Sequence, residues 1–143
     1  MCNIRLDFVT FELAGPTDNT VTNGGGICTT DKLEISRSRY PPTPVLCGVN
    51  TGHHILLDIT AGDSLDLQFV TDLTTTFTRN WEIKVSQLPC DTNLAGCYQH
   101  YTGVSGVITS FNFNNPDTTR QLHLAGMDYT ICVRRERGHC CIR

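Results

Sequence analysis

Four groups of residues in this chain have types and spacings that could do chemistry. Gly62-Asp-Ser-Leu65 has the form of a hydrolase nucleophile motif, but a catalytic serine needs a base and an oxyanion hole. Ser64 instead opens an alternating strand after a turn, so catalysis is not expected and the chain reads as a non-enzyme. His53 and His54 lie close to Cys47 and invite a metal reading. Adjacent residues on a strand point to opposite faces, however, and no Cys-x-x-Cys pair stands nearby, so a strand-end pair of histidines is the expectation. Arg134, Arg135 and Arg137, with His139, form a basic cluster suited to an acidic glycan or an anionic protein surface. Because Glu136 interrupts it, a solvated turn at a strand end is the favoured reading. The fourth group is the eight cysteines, far above the usual share for 143 residues, which points to an oxidising compartment and a disulfide framework. Cys140-Cys141 is read with them as structural, since nothing nearby would lower a thiol pKa.

The elements that would position these groups are strands. Ile4, Leu6 and Phe8 alternate with Asn3, Arg5 and Asp7, and the apolar parity resumes one residue out of step at Phe11 and Leu13, which predicts a strand with a bulge. Leu65, Leu67 and Phe69 alternate with polar residues, as do Trp81, Ile83 and Val85. The threonine-rich stretch between those two runs predicts an antiparallel neighbour pair with one wet face, and Trp81, Phe69 and Phe77 as core or core-edge aromatics. Leu33 with Ile35 and Val45-Leu-Cys-Gly48 supply further core-facing segments. After Cys97 the pattern restarts, with Cys97 to Tyr101, Val107 to Phe113, Leu122 with Leu124, and Tyr129 to Val133 as strand candidates. Leu88-Pro89-Cys90 marks a boundary. Residues 1–89, a cysteine linker at 90–96 and residues 97–143 are thus the expected units. The closing Cys140-Cys-Ile-Arg143 echoes the opening Cys2-Asn-Ile-Arg5.

A net charge of −3 argues against a nucleic-acid binder that relies on phosphate contacts, and no apolar run is long enough for a helical membrane span. No Asn-x-Ser/Thr acceptor occurs. The N-terminus lacks the pattern of an export signal, so the sequence is expected to begin inside a longer secreted precursor.

Several motifs carry a resemblance. Cys28-Thr-Thr-Asp-Lys-Leu-Glu-Ile35, Leu46-Cys-Gly48, Leu67-Gln-Phe-Val-Thr-Asp72 and Trp81-Glu-Ile-Lys-Val85 resemble the later half of a CUB domain. Cys97-Tyr-Gln-His-Tyr-Thr-Gly-Val-Ser-Gly-Val-Ile-Thr-Ser-Phe111 and Tyr129-Thr-Ile-Cys132 resemble the opening of another. The whole is most similar to the tandem CUB proteins of arthropods. The resemblance implies a disulfide-stapled all-β jelly-roll sandwich, built as two incomplete domains in tandem: a first lacking its opening strands and a second consisting of opening strands alone. It implies bridges Cys28–Cys47 and Cys97–Cys132. Cys2, Cys90, Cys140 and Cys141 depart from the family pattern; their pairing stays open, with Cys2–Cys90 preferred. Many members bind calcium through a glutamate and two aspartates. The aspartates correspond to Asp31 and Asp72, but the glutamate position falls on Ala14, so even with Glu12 nearby the site is expected to be vestigial and no cofactor is required. Asp31 and Asp72 could equally accept backbone N–H bonds at turns.

The implied function is that of a secreted, noncatalytic protein-interaction or adhesion module, with extracellular proteins or further copies of itself as partners. A structural subunit that assembles head to tail by half-domain complementation is the main alternative, and an accessory region of a secreted protease the next. Each half, left alone, would expose strand edges and an apolar face, and neighbouring chains are the favoured cover.

Overall fold

The computed structural model describes residues 2–17, 25–37, 43–73, 76–90, 94–116 and 123–140. The described residues form an all-β arrangement of β1 (Cys2–Glu12), β2 (Lys32–Arg37), β3 (His54–Ile59), β4 (Leu65–Val70), β5 (Asn80–Leu88), β6 (Gln99–Tyr101) and β7 (Ile131–Val133).

β1 is the centre of an antiparallel sheet ordered β3-β1-β5. Its Ile4, Leu6 and Phe8 are buried, as alternation requires of a strand with one face on a core. Phe8 lies opposite Ile83 but Thr10 lies opposite Glu82, so Val9 is an extra residue. This bulge leaves Val9 exposed and returns Phe11 and Leu13 to the core, which is the one-residue shift seen in the sequence. β2 and β4 form a separate antiparallel pair in which Leu33 and Ile35 oppose Phe69 and Leu67. Leu46 joins them through an isolated bridge to Leu33.

The expected pairing of the runs around Leu67 and Ile83 does not form. Both runs are strands, but β4 pairs with β2 and β5 with β1, so the threonine-rich connection passes from one sheet to the other. Pairing with β1 sets Trp81, Ile83 and Val85 opposite Phe11, Phe8 and Leu6, which continues one apolar face. Contact between β4 and β5 is made instead by rings: Phe69 stacks on Trp81 at 4.3 Å and 10°. The aromatic edge is open, for Trp81 and Phe77 remain 41% and 36% exposed.

Residues beyond the linker close the same core. Tyr98, Phe111 and Leu124 belong to one buried cluster with Leu6, Phe8, Leu33, Ile55 and Leu57. The cover that the sequence reading sought in neighbouring chains is therefore supplied, on this side, by the chain itself. β6 runs parallel to β7 and reaches β3 through the Leu56 N–H, which donates to the Tyr98 carbonyl at 2.7 Å. β3 is consequently buried on both faces, with His54 and Leu56 on one and Ile55 and Leu57 on the other.

The stretch from Val107 to Phe113, expected as a strand, is not one. Val107 and Ile108 are exposed, and a turn follows in which the Phe113 N–H donates to the Ser110 carbonyl. Asn112 adopts φ 63° there, which brings its side chain against the loop after Cys47. Its Oδ1 accepts from the Val49 N–H at 3.0 Å, and its own N–H donates to Asn50 Oδ1 at 2.8 Å. This reciprocal pair fixes Phe111 in the core, and strand propensity gives way to it. Leu124 is buried without lying in a strand, held by the Ala125 N–H to Gly26 carbonyl bond, and Leu122 lies outside the described residues.

Three disulfides hold the arrangement: Cys2–Cys90, Cys28–Cys47 and Cys97–Cys132. Cys140, counted from sequence among the bridged cysteines, is instead a free, exposed thiol beyond the turn at residues 137–138. Cys141 lies outside the described residues.

Candidate functional site

Asp31 lies in the bend immediately before β2 and is fully buried. Its Oδ2 accepts from the Ala14 N–H at 2.9 Å and from Arg79 Nε at 2.8 Å. Its Oδ1 accepts from the Asp72 N–H at 3.0 Å and from Arg79 Nη2 at 2.9 Å. The same Nη2 donates to the Asp72 carbonyl at 2.8 Å. Burial raises the carboxyl pKa, but the guanidinium and the two amides outweigh it and hold Asp31 below the usual carboxylate range. The sequence reading brought Asp31 and Asp72 together; Arg79 was missed, because an ion pair so distant in sequence leaves no local pattern. These residues do not fit calcium. A calcium ion needs about six to eight oxygen ligands, and both oxygens of Asp31 already serve a tethered cation and two backbone amides.

His53 and His54, read as a strand-end pair, are both buried where β3 meets the segment after Cys97. His54 Nε2 accepts from the His100 N–H at 3.0 Å, and its ring lies 5.1 Å from that of Tyr101. His53 touches Gln99 through Nδ1 at 3.5 Å and Thr109 through Nε2 at 3.4 Å, with its ring 5.1 Å from Phe111. Both imidazoles thus pack between the two parts of the chain, and His54 does so as an acceptor. Burial, and then Arg5, lower the His54 pKa from 6.5 to about 4, against the opposing pull of Asp7. Between those values the unfolded chain binds a proton that the folded chain refuses, so acid favours unfolding in that window and the effect is absent above it. A loss on the order of 1–2 kcal/mol is expected between pH 7 and pH 4.5, after discounting for partial solvent access. Urea unfolding at the two pH values checks this, and His54→Gln should flatten the difference. An unchanged midpoint would remove the assignment.

The basic cluster follows β7. The Arg134 N–H donates to the Tyr101 carbonyl, and Glu136 accepts from the Gly103 N–H at 2.8 Å and from Arg134 Nη2 at 2.8 Å. The Gly103 amide, and then Arg134, hold the Glu136 carboxyl below its ordinary range. Glu136 therefore does more than interrupt the run: it ties residues 102–104 to the arginine turn. Gly103, at φ 105°, supplies the backbone conformation this requires. Between the two segments lies an open groove of about 910 Å³, lined by Thr102, Val104, Arg135, Arg137 and His139 together with the Arg134–Glu136 pair. Arg135 and Arg137 are exposed. Sequence reasoning found the charged wall but not the opposite one, since the β6–β7 pairing that apposes them is not a local property.

Residues 95–143 match the family model of the animal CUB domain. The matched stretch begins within the linker and contains both walls of the groove, Phe111, Asn112 and the Cys97–Cys132 bridge. CUB domains are typically noncatalytic extracellular interaction modules, and the three disulfides are consistent with that setting. No curated protein and no solved structure matches the chain. Ser64 lies exposed between a turn at Gly62 and β4, and its neighbour Asp63 donates its N–H to the Thr60 carbonyl, so the motif serves as a strand entry. Among the described residues no group of three His, Cys, Asp or Glu could hold a metal ion.

Proposed function

We propose that this chain is a secreted, noncatalytic interaction module that binds an acidic protein surface through the groove between residues 102–104 and 134–139. The observation that carries the reading is the disposition of charge: Glu136 satisfies Arg134 and the Gly103 amide, which leaves Arg135 and Arg137 directed to solvent beside Val104. Such a mixed basic and apolar surface suits a carboxylate-rich protein patch. Fluorescently labelled polyglutamate tests it. Binding should weaken as salt rises and be lost in Arg135→Glu/Arg137→Glu, with the thermal midpoint unchanged because both side chains are exposed. Equal binding by the reversed variant, or binding of sulfated polysaccharide alone, would count against it.

The same reading extends to the organisation of the chain. Residues 1–89 act as the closing half and residues 97–143 as the opening half of a CUB-like sandwich, joined in permuted order. This is supported by the core that Tyr98, Phe111 and Leu124 share with β1, β2 and β3. Head-to-tail complementation through these halves is correspondingly less favoured, and no observation favours a protease accessory role.

A further inference from the structure

The structure points to a second surface, remote from the groove in sequence and different in chemistry. β5 pairs only with β1 among the described strands and is an edge of the β3-β1-β5 sheet. Its residues facing the core side are incompletely covered: Trp81 is 41% and Val85 55% exposed. An edge strand with an open apolar face is a template for another strand, unless its charges oppose every register.

Of the symmetric registers about Glu82, Ile83, Lys84 and Val85, only one sets opposite charges face to face. When two copies pair antiparallel about a two-fold axis through Glu82, that residue faces its own copy. When the axis passes through Lys84, lysine faces lysine. With the axis through Ile83, Glu82 faces the second copy's Lys84 twice over, and Trp81 faces the second copy's Val85 on the apolar side. Like charges directly opposite destabilise a ladder and opposite charges favour it, so sequence selects this register. We propose that β5 is a self-association edge, pairing about Ile83 with β5 of a second copy of this chain to give a two-fold dimer with one continuous sheet. The interface is isologous and closes, so it yields a dimer and no filament.

The pairing makes a reciprocal test possible. Sedimentation equilibrium of the chain should show a monomer–dimer equilibrium. Glu82→Lys sets lysine against Lys84 twice, and Lys84→Glu sets glutamate against Glu82 twice, so each should weaken dimerisation roughly tenfold or more. The double variant Glu82→Lys/Lys84→Glu should restore it, and the two single variants mixed should form a heterodimer. Both side chains are exposed, so circular dichroism should show every variant folded. A monomer at all concentrations would overturn the proposal and make Glu82 and Lys84 guards of the edge. So would a dimer insensitive to the reversals, including one linked through Cys140, which nonreducing mass would reveal. Polyglutamate binding by the groove should not change with the β5 charges, so failure here is distinct from failure of the proposed function.

Discussion

Replacing Asp31 with alanine is expected to lower stability by about 3 kcal/mol, seen as a fall of roughly 10 °C in the thermal midpoint. The carboxylate is fully buried and accepts four bonds, so its loss strands the Ala14 and Asp72 amides and releases Arg79. Each stranded buried donor costs about 1–3 kcal/mol, and breaking a buried ion pair from one side falls in the same range or above it. Arg79→Met should also destabilise, because Asp31 would keep its amides but lose its cation. The depressed Asp31 pKa adds a pH signature: this stabilisation is present above the ordinary carboxylate pKa and is lost as pH falls through the lower folded value. That window lies below the one assigned to His54, so the two can be separated. Wild-type midpoints in calcium and in chelator should coincide, since Arg79 occupies the carboxylate; a large calcium-dependent rise would overturn this assignment.

Gly48→Ala is expected to be comparably severe, at about 3 kcal/mol or more, and to act on the contact between the two parts of the chain. Gly48 has φ 78°, which costs alanine about 1–2 kcal/mol before any contact is considered. A Cβ there would also sit 1.8 Å from Asn112 Oδ1 and 2.5 Å from Asn112 Cγ. Asn112 must then withdraw, breaking its bonds with Val49 and Asn50 and loosening Phe111. Hydrogen exchange reads this directly: protection at Val49 and Asn112 should collapse while the β1–β5 ladder keeps most of its own. Uniform loss across both regions would show that the contact does not open separately.

What the sequence revealed was faces, and what it concealed was partners. The one-residue slip between Phe8 and Phe11 announced the bulge, because parity is a local property and the core enforces it. The same parity in β4 and β5 says which side is apolar but not which strand lies alongside, so their assignment to one ladder failed. Val107 to Phe113 carried strong strand propensity, yet two side-chain bonds at Asn112, made with residues over sixty positions away, decide its shape. The candidate sites divide in the same manner. Asp31 was legible as an acceptor of backbone amides and the arginine run as a basic surface. Arg79, the apposed wall at residues 102–104, and the buried histidines beneath β6 depend on folding.

Tyr98, Phe111 and Leu124 roof a core whose floor is laid by β1, and this sets the order of synthesis against the order of packing. The ribosome delivers Leu6 and Phe8 well before Leu124. Cys2 can meet Cys90 and Cys28 can meet Cys47 before Cys132 exists. The nascent chain can therefore be cross-linked while still roofless, with Leu13, Ile55 and Leu57 facing water until residues 98–124 arrive, so aggregation during production should track the delay between oxidation of these two bridges and docking of that segment.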